Sequence, residues 1–356
     1  MHLEGGEVPE AYRSYIGRKI VFILAGVVVL FLLLILSVSV GAVSIPPLEV
    51  VLALFGQGTN AQWDTIIWNI RLPQALTGIV AGIGLAVAGV AMQSILRNPL
   101  GSPYTLGISN AAAFGAAVSV ILLGSGTMHS TGADAIVLNN PYITTILAFI
   151  FCLIATGIIL AISRVRGASP EVMILAGVAI GSLFTAGTMF LQYFADDVQL
   201  AAVVFWTFGD VGRADWQELG LITVVVFLAT VYFMFNRWNY NAIDAGEETA
   251  RGLGVNVKSI RLWGMVIASL VSAIIVAFLG IIGFVGLVCP HIVRRLIGDD
   301  HRFLIPGTCV LGGILLLASD TAARLILAPH ILPVAILTAF MGAPIFIYLL
   351  IKGYTR

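Results

Sequence analysis

Charge is what this chain has least of. Asp, Glu, Lys and Arg make up 10% of its 356 residues, 18 acidic against 18 basic, and the mean hydropathy is +1.04. So few charges cannot clothe a water-soluble domain of this length, and the chain is read as a membrane protein. A net charge of zero offers no basic footprint for nucleic acid, which is excluded as a partner. Cysteine is nearly missing as well: Cys152, Cys289 and Cys309 sit in apolar runs without metal-ligand or disulfide spacing and are read as small buried hydrophobes. Neither H-E-x-x-H nor G-x-S-x-G occurs, and no paired catalytic carboxylates are read at helical spacing. No residue is therefore read as catalytic or as a metal ligand.

Ionisable groups inside the apolar runs are equally few. Asp320 and Arg324 stand four apart, acid first, so one helix face can hold them as a neutral pair. They are either a structural ion pair or a recognition charge at an outer surface. An ion-coupled carrier usually needs carboxylates or histidines at mid-membrane depth, and no proton relay is evident. His291 beside Pro290 is read as part of a bent helix near the inner interface rather than as a ligand.

The apolar runs themselves are of membrane length, roughly 20 residues each. Spans are expected near Ile20–Val43, Leu72–Ile95, Thr105–Gly124, Tyr142–Ser163, Glu171–Phe194, Glu218–Asn236, Ile260–Leu279, Ile281–Ile297, Phe303–Leu327 and Pro333–Lys352, the eighth short and marked by Gly and Pro. The fold class is an all-α polytopic membrane protein of about ten transmembrane helices, one domain over 1–356, with an uncleaved first span after a cytoplasmic tail at 1–19. Basic residues segregate under this arrangement: fifteen, among them Arg97, Arg164, Arg166, Arg251, Arg294 and Arg356, fall on one side, and only Arg71, Arg213 and Arg324 on the other. The positive-inside rule then puts both termini in the cytoplasm. Outside, Ser44–Arg71 reads as short interfacial helices, Gly124–Pro141 as a polar loop, and Ala195–Trp216 as a loop with a short helix at the mouth of the bundle.

Small residues recur at helical spacing, as in Gly78, Gly82 and Ala86 or Gly177, Gly181 and Thr185, which lets helices approach closely. A second reading has Gly181, Ser182, Thr185 and Thr188, with Thr338 and Gly342 of the last span, lining a path for a bulky solute.

The longest polar interruption of the second half is the stretch 237–259. Asp244 followed by Glu247 is a capping-box signal, and Gly252 with Gly254 supplies a stop, so a short cytoplasmic helix is expected. It is either a docking knob for a soluble partner or an ordinary linker. Gly252–Ser259, GLGVNVKS, misses the phosphate-binding pattern G-x-x-x-x-G-K-[ST] because Val257 occupies the second glycine position. Nucleotide binding by this chain is thus not expected.

Several motifs in order resemble the permease subunits of binding-protein-dependent ABC importers for iron chelates, haem and cobalamin, the FecCD-like family. They are RLP at 71–73, QSILRNPLGSPYTLGIS at 93–109, LAGVAI at 175–180, FWTFGDVGRADW at 205–216, ARGLGV at 250–255, GFVGLVCPHIVRRLIGDDHR at 283–302, SDTAARL at 319–325 and LPVAILTAFMGAPIFIYLL at 332–350. The resemblance implies a cell-membrane permease paired with a second copy, enclosing a central pathway at the homodimer interface. It implies two cytoplasmic ATPase subunits carrying ATP and Mg, and an extracytoplasmic substrate-binding protein. No cofactor is implied for this chain. By the same resemblance, Glu247, Ala250, Arg251, Gly252, Leu253, Gly254 and Val255 form the ATPase-coupling loop, and Arg71 and Arg324 meet acidic residues of the binding protein. Gln74 stands where some members carry a further Arg, and Ala335 replaces a frequent Gly. A gated channel or ion-coupled carrier working without an ATPase is the competing expectation.

Overall fold

Short polar side chains stand ahead of many of the apolar runs and start the helices there. Ser169, Asp196, Asp215, Asn256 and Asp300 each accept a backbone N–H of the first turn, and Asp196 with Gln199 and Asp215 with Glu218 complete reciprocal capping boxes. The computed structural model describes residues 10–129, 135–138, 141–165, 169–328 and 330–353. Arg166, Arg356 and the first nine residues of the expected tail lie outside these.

The chain runs through α1 (Glu10–Ser39), α2 (Pro47–Leu54), α3 (Ala61–Ile66), a π-helical turn (Ile67–Arg71), α4 (Leu72–Ile95) and α5 (Ile108–Ala117), which ends in a second π-helical turn (Val118–Leu122). After the strands β1 (Gly126–His129) and β2 (Ala135–Leu138) come α6 (Pro141–Val165), α7 (Pro170–Tyr193), α8 (Asp197–Thr207) and α9 (Trp216–Phe235). Then follow α10 (Arg237–Asp244), α11 (Glu247–Gly252), α12 (Val257–Leu279), α13 (Val285–Ile297), α14 (His301–Leu325) and α15 (Val334–Gly353). Every expected span has a helix. Seven stretches among the described residues are long and apolar enough to cross a bilayer: α1, α3 with α4, α6, α7, α9, α12 and α14. The chain is an integral membrane protein.

The structure adds detail to several expectations. Within the expected polar loop 124–141, β1 and β2 pair antiparallel with Gly126 opposite Leu138. Helix α1 begins inside the expected tail, at Glu10. At about 1.5 Å per residue the 30 residues of α1 reach about 45 Å, more than the hydrocarbon thickness, so its first turns project beyond it. The eighth span is a half-helix: α13 has 13 residues, roughly 20 Å, entered through non-helical Gly280–Phe284. Gly280 (φ 78°) and Phe284 (φ 66°) turn the backbone left-handed there. Freed backbone groups are met by a neighbouring loop, with Asp210 N–H donating to Leu279 O at 2.8 Å, as irregular backbone at membrane depth requires.

Helix α4 is the axis of the bundle. Its small residues serve three neighbours: a Cβ on Gly82 would overlap Gly312 of α14, one on Gly89 would overlap Gly286 of α13, and one on Gly84 would lie 2.6 Å from Ile275 of α12. Lipid gives two apolar helices no hydrophobic reason to associate, so close backbone approach supplies the dispersion energy instead. The small-residue reading thus holds for Gly82 and Ala86, and also for Gly177 and Gly181, which pack on Leu106 and Gly107 beside α5.

Candidate functional site

At the end of α9 the chain leaves the bundle and forms α10 and α11. Helix α10 buries Tyr240, Ala242 and Ile243 on one face and exposes Trp238 on the other. Ala242 and Ile243 join Ala250 and Val257, with Val255 and Ile260 beside them, in a miniature core that Ile260 links to the main one. That core makes the pair of helices a rigid knob. Its apex is Arg251–Gly254: Leu253 is 70% exposed, and nothing lies within 4 Å of where a Cβ would sit on Gly252 or Gly254. An exposed leucine between two open glycines is a shape another surface can close over.

The expected capping box is corrected here. Asp244 ends α10 rather than starting the next helix, and Gly246, at φ 126°, is the residue before α11. Glu247 is committed elsewhere: it pairs with Arg251 and accepts 2.8 Å from Nη2 of Arg261, a side chain 2% exposed on α12. The Arg261 hydrogen bond holds the Glu247 carboxyl below the usual range.

Sequence reasoning missed a second attachment. His301, the first residue of α14, is fully buried; its Nδ1 lies 2.9 Å from Asn241 Oδ1 and its Nε2 3.0 Å from Ser94 Oγ on α4. Ser94 Oγ also lies 3.2 Å from Asp244 Oδ2. Burial pushes the Asp244 carboxyl up to about 6, against the pull of Arg294 and the Ser94 hydrogen bond. The only sequence signal was the DDHR string at 299–302; that its imidazole is buried is a tertiary fact. Beside this network opens a cavity of roughly 710 Å3 whose lining includes Gln93, Arg97, Asp244, Arg294, Asp299 and Asp300.

At the opposite end, Arg71 is 7% exposed and donates to the carbonyls of Val38 (2.8 Å), Ser39 (3.1 Å) and Val43, closing the C-terminus of α1. Arg324 bonds Asp320 at 3.1 Å and Ser37 Oγ at 2.7 Å, and Gln74 donates to the other Asp320 oxygen at 3.0 Å. Both arginines face inward, onto α1. As a fork for a partner's carboxylates they would have to exchange these contacts.

Of the residues assigned to a pathway, Ser182 stands on the exposed face of α7 with Val178 and Leu183. Gly181 and Thr185 are turned to α5, where Asn110 Nδ2 donates to Gly181 O and Thr185 Oγ1, and Thr188 is buried. Thr338 is buried, and a Cβ on Gly342 would lie 2.6 Å from the Phe284 side chain. The structure brings these six together only in part.

The FecCD transport family matches residues 29–352. Protein MJ0087 of Methanocaldococcus jannaschii is 54% identical over 98% of this chain and 99% of its own. The haemin transport system permease protein HmuU of Yersinia pestis is 36% identical over 91% of this chain and 93% of its own. A solved structure described as a metal-chelate type ABC transporter in an inward-facing conformation superposes with a TM-score of 0.80, at 28% identity, over 93% of this chain and 98% of that one. Such permeases are transport subunits that work with ATPase subunits and a binding protein. This chain belongs to the FecCD transport family.

Proposed function

We propose that the chain is the permease subunit of an ABC importer that moves an iron chelate of siderophore or haem type, or cobalamin, inward across the cell membrane. Two copies would enclose the pathway, each crossing about ten times with both termini in the cytoplasm. Two ATPases would seat on the knobs, and an extracytoplasmic binding protein would dock near Arg71 and Arg324. Closure of the ATPases on nucleotide would swing the knobs and tilt the spans between outward-open and inward-open states. ATP and Mg belong to the ATPases. The second copy would cover the exposed apolar faces of α7 and α15, which carry Leu175, Leu183 and Phe340, leaving Ser182 beside the pathway.

The observation that carries this reading is the rigid knob with its open apex, Arg251–Gly254, braced against α12 through Arg261. The test is uptake into vesicles that hold the permease, its ATPase and its binding protein. Haem, a ferric siderophore and cobalamin are offered in turn, with and without internal ATP. Uptake of one class that requires ATP supports the proposal; uptake driven by an ion gradient without ATPase or nucleotide overturns it and favours a carrier.

A further inference from the structure

We infer that His301 is a positioning residue that fastens α10 to the inner ends of α4 and α14, so that a push on the knob moves both spans with it. The inference rests on the coupling role proposed for the knob. Three residues of one short helix meet a single imidazole or its partner. Tyr240 stacks on the His301 ring with centroids 5.7 Å apart, Asn241 takes Nδ1, and Asp244 reaches Ser94, which takes Nε2. Arg261 ties the same knob to α12 through Glu247. Two braces on different spans resist tilting where one would act as a pivot.

The hydrogen-bond polarity is fixed from one end. Asp300, held down at about 2 with Arg302 bonded to it, is ionised and can only accept. It therefore takes Asn241 Nδ2 at 3.1 Å, which turns Oδ1 toward His301. That oxygen accepts both the His301 backbone N–H, at 2.8 Å, and Nδ1–H. The proton is then on Nδ1, and since full burial keeps the ring neutral, Nε2 accepts from the Ser94 hydroxyl. Ser94 has one hydrogen, so while it donates to Nε2 its contact with Asp244 is a hydrogen bond only when Asp244 carries a proton. Below about pH 6 the raised Asp244 carboxyl supplies that proton; above it the Ser94 hydroxyl can turn to the carboxylate. In either state Ser94 lies within hydrogen-bond distance of both, and the contacts Asp300–Asn241–His301–Ser94–Asp244 join α10, α4 and α14.

The test uses the full complex in vesicles and reads ATP hydrolysed per solute imported, a ratio that a purely structural lesion leaves unchanged while lowering both rates. Ser94→Ala cuts the link to α4 and keeps the ring; it is expected to raise the ratio about five-fold, the factor carried by one net hydrogen bond. Ser94→Thr, which retains the hydroxyl, is expected to restore it. His301→Gln is expected to act like Ser94→Ala, and if it fails to fold the serine pair still decides. An unchanged ratio in Ser94→Ala, with the ATPase still bound, overturns the inference. A control separates the two readings: Gly252→Cys cross-linking to the ATPase supports the knob as its seat whatever the serine variants do, and failure of that cross-link counts against the coupling role itself.

Discussion

Glu247 on the knob and Arg261 on α12 are joined at 2.8 Å across a contact whose guanidinium side is 2% exposed. The exposed Arg251 bonds the same carboxylate from the solvent side, where an ion pair contributes little. Glu247→Gln is therefore expected to destabilise the solubilised protein by about 2 kcal/mol, the scale of a hydrogen bond to a charged group. Arg251→Ala is expected to cost under about 0.5 kcal/mol. Thermal unfolding of the two variants side by side checks the order, and equal midpoints would remove Arg261 as the brace.

The two apex glycines are expected to behave differently although neither touches a neighbour. Gly254 has φ 81°, so Gly254→Val forces a β-branched residue into left-handed backbone at about 2 kcal/mol. Gly252 is helical and open. Gly252→Val is expected to leave the unfolding midpoint within error while ATP hydrolysis separates from uptake, because only the partner's fit is disturbed. Uptake equal to that of the unsubstituted protein would show that no partner closes over the apex.

Inside the bundle, Gly89→Ala drives a methyl into the Gly286 carbonyl at the crossing of α4 and α13. About 3 kcal/mol is expected to be lost, an overpacking cost that backbone atoms cannot relax away. Gly220→Ala on α9 meets nothing within 4 Å and is expected to be neutral or slightly stabilising. Extraction yield and unfolding midpoint report both.

Much of this architecture was legible because membrane spans announce themselves by length and apolarity: α4 begins and ends at the expected Leu72 and Ile95. What escaped was decided between segments. Phe284 takes a left-handed φ, and its side chain packs where a Cβ on Gly342 would lie, a relation between distant positions that no local pattern carries. Asp244 met the capping rule locally, yet its carboxylate is drawn to Ser94, 150 residues earlier. Arg71 was marked by its rarity on the outer side, but rarity cannot say whether a guanidinium faces a partner or the carbonyls of Val38 and Ser39.

Those carbonyls make a fourth expectation. Arg71→Ala strips donors from the end of α1 and is expected to lower stability by about 3 kcal/mol, since a buried acceptor left unsatisfied costs its full desolvation. Weaker binding-protein affinity in this variant is expected only together with a lowered unfolding midpoint. Lost affinity at an unchanged midpoint would instead show that the guanidinium is free to meet the partner.

Asp244 gives the pH dependence. Burial raises its carboxyl from 3.8 to about 6, so the folded chain holds this proton at pH values where the unfolded chain has released it. The folded state then binds more protons between those two values, and its stability falls as pH rises through the window, with no further change above it. Arg97, Arg294, Asp299 and His301 surround the carboxyl, so the informative quantity is a difference. Unfolding midpoints of the unsubstituted protein and of Asp244→Asn, which keeps a neutral donor toward Ser94, are compared from about pH 7 down to about pH 5. The unsubstituted protein is expected to gain on the variant as pH is lowered. A flat difference, or a gain in the other direction, would mean that the carboxylate is ionised and the Ser94 hydroxyl points at it, leaving His301 Nε2 without its donor.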